Sequence, residues 1–288
     1  MTKFSVITIT YNAEAVLQRT LDSVLAQTYE GVEHLIIDGA STDGTLQLVH
    51  AYKALNDDQP SQPTNSQTAK QPNDQTTKRA NKCHPHKVIV HSEPDHGIYD
   101  AMNKGLTQAS GDYVVFMNAG DFFPSADTLE QIAHHCHLNE LPSDSLPAVV
   151  YGNTDIVDSA GRYLHPRRLQ PPEHLSWRSF RHGMLVCHQA FYARADVAKN
   201  LQYDTRYRYS ADVDWCIRVM READRMALPL INAHLTIACY TEEGATTRHH
   251  RESLCERYRI MARHYGHTST VLMHCWFAVR AIFSHPTP

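Results

Sequence analysis

No Cys-x-x-Cys pair occurs in the 288 residues, and seven cysteines, an odd number, make neither a disulfide nor a zinc framework. Reduced thiols in a cytoplasmic compartment are the simpler expectation. An excess of positive charge is also missing: the formal net charge of -4 provides no broad basic field, so a nucleic-acid partner gains no support. No apolar run reaches the roughly 20 residues that cross a bilayer. The longest such stretch near the C-terminus, Val271 to Phe283, is interrupted by His274 and Arg280. Nothing at the N-terminus resembles an apolar core followed by a small-residue cleavage site, so no secretory signal is expected. The first strand-to-helix turn lacks Gly-x-Gly-x-x-Gly, which argues against a dinucleotide-binding Rossmann site. Residues 56–82 contain no Val, Ile, Leu, Met, Phe, Trp, Tyr or Cys and read as a disordered surface insertion, because they cannot bury enough apolar surface to offset their ordering entropy.

What is present is a series of strand-length apolar runs, each ending in polar residues. Phe4 to Thr10 is β-branched and ends at Tyr11-Asn12; a helix with Val16, Leu17, Leu21, Val24 and Leu25 at helical spacing follows. Val32 to Asp38 ends in a carboxylate and Gly39, and Ser41-Thr42-Asp43-Gly44-Thr45 then turns into a second helix. Asp38 could accept a hydrogen bond from a base N–H or simply bond its own loop. Lys87 to His91 is a third short strand, followed by a turn-forming and then helical run in which Asp100 and Lys104 stand four apart. Gly111 to Phe116 delivers Asp121 just past Gly120, at the strand end where open α/β sheets bind ligands. A carboxylate there can hold Mg²⁺ or Mn²⁺ against phosphate oxygens, or can cap the next helix.

Beyond Ala148 the alternation of strand and helix gives way to antiparallel signals. Ala148 to Val157 is strand-like, Asp158 to Gly161 is a hairpin turn, and Val186 to Tyr192 reads as another strand. Ser210 caps a helix with Val213, Ile217 and Met220 on its apolar face and Asp212 in its first turn. An ionised Asp projecting from a helix N-terminus into a cleft suits the removal of a proton from a hydroxyl, although such positions also serve as ordinary caps. His134, His135 and His137 read as a solvated face, since adjacent helical residues point about 100° apart.

Thr8-Ile9-Thr10-Tyr11-Asn12, Leu35 to Thr45, Gly97 to Gly105, Gly111-Asp112-Tyr113, Asn118 to Asp121 and Asp212 occur in order. Together they resemble the inverting family 2 glycosyltransferases. The Glu93 to Gly105 run looks most like the branch that builds bacterial exopolysaccharide, of the colanic-acid type. The resemblance implies the α/β GT-A nucleotide-diphospho-sugar transferase fold, with a mostly parallel central sheet flanked by helices. It further implies that Thr8, Tyr11, Asn12 and Asp38 hold the nucleotide, with Asp43 supporting them. Asp95, Tyr99, Asn103 and Lys104 would lie along the donor together with Asn118 and Gly120. Asp121 would hold Mn²⁺ or Mg²⁺ at the diphosphate, and Asp212 would be the catalytic base. His188 and Gln189 would face the acceptor, a glycan or a lipid-linked saccharide.

Three positions depart from the family pattern. The Asp-x-Asp-Asp motif reads Asn118-Ala119-Gly120-Asp121, the Arg before Asn103 is Met102, and the Glu before the catalytic Asp is Ala211. The first leaves one carboxylate for the metal, the second shifts a phosphate contact toward Lys104, and the third removes an orienting partner. A non-catalytic nucleotide-sugar binding protein and a nucleotidyltransferase are the competing readings. The expected organisation is a catalytic domain over 1–250 and a C-terminal helical appendage over 251–288. Thr246 to His250 could contact diphosphate or metal, or be a solvated basic loop. The appendage could lie at the inner face of the cell membrane, or pack on the catalytic domain or a partner chain.

Overall fold

β1 (Phe4–Thr10), β2 (Val32–Asp38) and β4 (Tyr113–Phe116) are buried at every residue. Unbroken apolar and β-branched runs behave this way when helices cover both faces of a sheet. The computed structural model describes residues 1–57, 86–242 and 250–283. On one face α1 (Glu14–Leu25) buries Leu17, Thr20, Leu21 and Val24, a single stripe at helical spacing. It packs beside α2 (Thr45–Asp57), while α3 (Ile98–Gln108) buries Tyr99, Met102 and Leu106 among its inward residues.

The sheet order is β3-β2-β1-β4-β7-β5-β6, with β8 on the free side of β5. β1 to β4 pair in parallel, including β3 (Lys87–Ser92), so the C-terminal ends of β1, β2 and β4 emerge together, with Thr10 beside Asp38. β7 (Phe191–Arg194) is antiparallel to both β4 and β5 (Val149–Val157), and β6 (Tyr163–Pro166) closes the expected hairpin. β8 (Leu230–Thr241) returns parallel to β5. The remaining helices are α4 (Thr128–His135), α5 (Ala195–Ala198), α6 (Ala211–Arg225), α7 (His250–Tyr265) and α8 (His267–Phe283). This is the expected α/β architecture with C-terminal helices.

Several expectations need correction. The run 56–82 is not irregular from its start: α2 continues through Asp57, and buried Asn56 donates to the Tyr52 carbonyl; residues 58–82 lie outside the described residues. Val186 to Tyr192 is not a continuous strand, because His188–Ala190 form a 3₁₀ turn before β7. His188 and Gln189 are both buried, which strand alternation, sending neighbours to opposite faces, does not favour. Ser210 precedes α6 without a side-chain cap bond; its hydroxyl instead meets the Ser253 hydroxyl of α7 at 3.0 Å. α7 is part of the main body. Ile260 joins the core, and Glu256 accepts the Arg208 and Tyr209 N–H groups at 2.8 Å each. Among the described residues no helix is long and apolar enough to cross a membrane.

Candidate functional site

Asn118 to Asp121 form a tight turn at the β4 tip. The Asp121 N–H donates to the Asn118 carbonyl at 2.9 Å, and Gly120 takes φ +101°, which glycine adopts without steric cost. Thr20 of α1 donates to the Asp121 carbonyl at 2.7 Å, and Thr241 at the end of β8 donates to the Gly120 carbonyl at 2.7 Å. The Asp121 side chain is 5% exposed and accepts from Gln189 Nε2 at 2.7 Å and from the Thr241 N–H at 3.1 Å. Burial raises its pKa to about 7, overcoming the lowering effect of those two hydrogen bonds. Gln189 thus touches the expected metal carboxylate, and its own carbonyl accepts the Cys187 thiol. The Asn118 Oδ1 is buried with no hydrogen-bond partner.

Asp212 sits in the first turn of α6, where its Oδ1 accepts the Tyr99 hydroxyl at 3.0 Å. Burial, and then the Asp212 charge, push the Tyr99 pKa well above its ordinary value, so this hydroxyl remains a donor. Tyr99 stacks on Tyr203, which stacks on Trp215. Asn103 fixes Tyr203 from both sides, donating to its carbonyl at 3.0 Å and accepting its N–H at 2.7 Å. Tyr99 and Asn103, expected along the donor, also brace the candidate base, Tyr99 directly and Asn103 through Tyr203. His188 lies in the same aromatic cluster, 4% exposed, stacked on Phe116 and bonded to the Tyr203 hydroxyl at 2.7 Å. Burial lowers its pKa to about 4, which keeps it neutral. Neither His188 nor Gln189 presents an open acceptor-facing surface: both point inward.

The loops after β1 and β2 interlock. Asn12 Oδ1 accepts the Thr42 N–H, the Asn12 N–H donates to the Ser41 hydroxyl, and Asp43 accepts the N–H groups of Glu14 and Thr45. Asp38 is buried and accepts from the Ser41 N–H and the Ser92 hydroxyl. Gly39 permits close approach here, since a Cβ would stand 2.5 Å from Asp95 Oδ2 and 3.2 Å from the Tyr11 ring. Tyr11 is 63% exposed and offers a ring at the rim. Thr8 is different: it is fully buried, bonded to His34 and donating to the Met117 carbonyl, two residues short of the β1 tip. At that tip Thr10 Oγ1 is the buried hydroxyl without a partner. Lys104 is held by Glu93 at 2.8 Å and by the Pro94 carbonyl.

Adjacent residues of one 3₁₀ turn link the two carboxylates: Gln189 donates to Asp121, and His188 bonds the hydroxyl of Tyr203, whose ring stacks on the Tyr99 that donates to Asp212. Sequence reading missed Thr241, Tyr203 and Thr20. A hydroxyl residue ending an apolar run marks Thr241, but nothing local ties it to Asp121. Among the described residues no group of three or more His, Cys, Asp or Glu side chains is assembled for a metal. The surroundings nevertheless fit a hard cation held by one carboxylate together with phosphates and water. They supply a buried carboxylate whose charge two hydrogen bonds compensate only in part and a partnerless Asn118 oxygen.

The Glycosyl transferase family 2 profile matches residues 5–62 and 70–201. A PGL/p-HBAD biosynthesis glycosyltransferase of Mycobacterium bovis is 31% identical over 242 residues, covering 84% of this chain and 77% of that protein. The crystal structure of S. aureus TarS in complex with UDP superposes with a TM-score of 0.60 at 18% identity, over 90% of this chain and 64% of that one, so this chain spans less than two thirds of its length. The mannosyltransferase PcManGT from Pyrobaculum calidifontis, solved with GDP-Man and Mn²⁺, superposes with a TM-score of 0.54 at 16% identity, over 100% of this chain and 77% of that one. These likenesses give the GT-A fold, and the profile with the mycobacterial relative gives the family: the chain belongs to glycosyl transferase family 2.

Proposed function

We propose that this protein is an inverting, metal-dependent glycosyltransferase. It moves a sugar from a nucleotide-diphospho-sugar to a hydroxyl of a glycan or lipid-linked saccharide, in surface polysaccharide synthesis in the cytoplasm. A UDP-linked donor is preferred over GDP- or dTDP-linked ones. UDP in the TarS structure supports that choice, and GDP-Man in the mannosyltransferase keeps a GDP-linked donor in the test panel. The observation that carries the reading is the pairing of a buried carboxylate, Asp121, with a hydroxyl-braced carboxylate, Asp212, linked through the His188-Gln189 turn and the Tyr203-Tyr99 stack.

In this reading Asp212 accepts the acceptor hydroxyl's proton as that oxygen attacks the anomeric carbon. The bond from that carbon to the diphosphate oxygen breaks, its electrons leave with the nucleoside diphosphate, and the configuration inverts. Tyr99 keeps Asp212 oriented through each turnover. The rim of Tyr11, Asn12, Asp38 and Asp95 receives the nucleoside, with Thr10 Oγ1 and Asn118 Oδ1 available as contacts. Gln189 and the Thr241 N–H hold Asp121 in place, and Mn²⁺ or Mg²⁺ bound there would supply positive charge to the departing diphosphate.

Incubation with a panel of sugar nucleotides, Mn²⁺ or Mg²⁺, and lipid-linked or synthetic acceptors should release a nucleoside diphosphate. Release of none from any donor, slow hydrolysis included, would sink the proposal. Pyrophosphate as the product would select a nucleotidyltransferase, and metal-dependent UDP binding without turnover a binding protein.

A further inference from the structure

A second cavity opens beside the candidate base. The 3₁₀ turn Trp177–His182 and the following Gly183 and Met184 form one wall, the first turn of α6 another, and α7 and α8 the rest. The cavity measures about 350 Å³, and its lining is chiefly apolar, from Phe180, Met184, Val213, Met261 and Phe277. Val213 directly follows Asp212, and consecutive Cα atoms lie about 3.8 Å apart. The α6 wall of the cavity therefore lies in the same helical turn as the proposed base, with the Val213 and Asp212 side chains about 100° apart around the helix.

Native interiors pack with few voids larger than a water molecule, and an engineered apolar cavity of about 150 Å³ already admits benzene. An apolar space more than twice that size is ligand-sized. Its polar exceptions are His274, whose Nδ1 bonds the Thr270 carbonyl at 2.9 Å, and Arg257, whose Nε is buried without a hydrogen-bond partner. The Nε of Arg181, next to Phe180 in the chain, is likewise buried and partnerless. Buried donors without acceptors are rare, and a guanidinium pairs best with an oxyanion.

We propose that this cavity is the acceptor's aglycone subsite, taking an apolar aryl or prenyl group that carries an oxyanion, with Arg257 as its anion contact. The inference rests on the transferase reading and narrows the acceptor to an amphiphile. Burying the apolar group here would hold the sugar hydroxyl on the Asp212 side of the α6 turn, with attraction growing with the apolar area removed from water.

The test starts from binding, which needs no turnover. Titration of the full chain with 8-anilinonaphthalene-1-sulfonate, an aromatic sulfonate, should show one saturable fluorescent site. Met261→Asn and Arg257→Met should each weaken it by about tenfold or more, the scale of a lost charge-assisted contact. Arg257 is only partly buried, so Arg257→Met carries the test if Met261→Asn does not fold. Trp276→Ser, on the exposed outer face of α8, should leave binding unchanged. Displacement by farnesyl phosphate or by 4-butylbenzoate identifies the prenyl or the aryl source. No saturable site, equal loss in Trp276→Ser, or equal displacement by neutral octanol would overturn the proposal. Nucleoside diphosphate release without acceptor is measured on the same proteins: its absence from the unaltered protein counts against the transferase reading, whereas its persistence alongside an indifferent cavity counts only against the subsite.

Discussion

Ala211 stands where the family pattern places an orienting Glu beside the proposed base, and a hydroxyl from a different element contacts that base instead. Tyr99 donates to Asp212 at 3.0 Å from α3. Asp212→Asn should lower kcat by about 10²–10⁴-fold, the usual share of a general base, with nucleotide binding by calorimetry unchanged; undiminished turnover would remove Asp212 from the mechanism. Tyr99→Phe keeps the ring stack on Tyr203 and loses only the hydroxyl, so kcat should fall by about tenfold with the melting temperature nearly kept. Asp121 sets a pH dependence. Its folded pKa, about 7, exceeds the ordinary 3.8, so the metal-free folded state holds an extra proton between those values. Its contribution to stability is fully present below about 4 and is lost as pH rises through about 7. Metal-free Asp121→Asn should lack that loss in thermal melts from pH 5 to 8. Because a cation needs the ionised form, Mn²⁺ affinity should climb across the same interval. Both carboxylates stand out in the sequence through the ordered motifs of the family resemblance, since a strand end or a helix start alone suits a cap equally well. Their partners do not: Gln189 and Thr241 reach Asp121 across 68 and 120 residues.

At the scale of elements, the parallel half was readable because its strands are continuous buried runs. β8 was not recognised, and its geometry gives the reason. The pairing with β5 shifts register between Tyr151 and Thr154, and His234 takes φ +57°, which breaks the two-residue period that identifies a strand. α3 follows the expected donor-side run, and its inward residues also brace Asp212. Asn103→Ala would leave the Tyr203 N–H and carbonyl without their side-chain partner, costing about 2 kcal/mol of stability. Urea unfolding reads that loss, and kcat should fall with it because Tyr203 supports Tyr99. A variant with unchanged stability would show that the brace is dispensable.

Across the whole molecule, the C-terminal helices were expected as an appendage, and polar contacts explain why α7 is more than that. Asp214 is fully buried between Arg218 at 2.6 Å and His264 of α7 at 2.8 Å. Burial works against its ionisation, and the His264 hydrogen bond with the Arg218 charge outweighs it, keeping the carboxyl below its ordinary range. His264→Leu strips one partner from a buried charge and should cost about 3 kcal/mol, measurable by urea unfolding; a neutral effect would mean that α7 docks without this contact. Such a tie is invisible in one dimension, because nothing near His264 announces Asp214.

The two carboxylates are also cross-braced. Asp121, from the first half of the chain, is gripped by Gln189 and Thr241 from the second, while Asp212, from the second half, is gripped by Tyr99 from the first. A chain cut at the Asp158 to Gly161 hairpin turn would therefore yield two pieces that each carry one reactive group and the other's handle. Neither piece could retain a fraction of the chemistry by itself, and mixing them should restore turnover only to the extent that they reassemble.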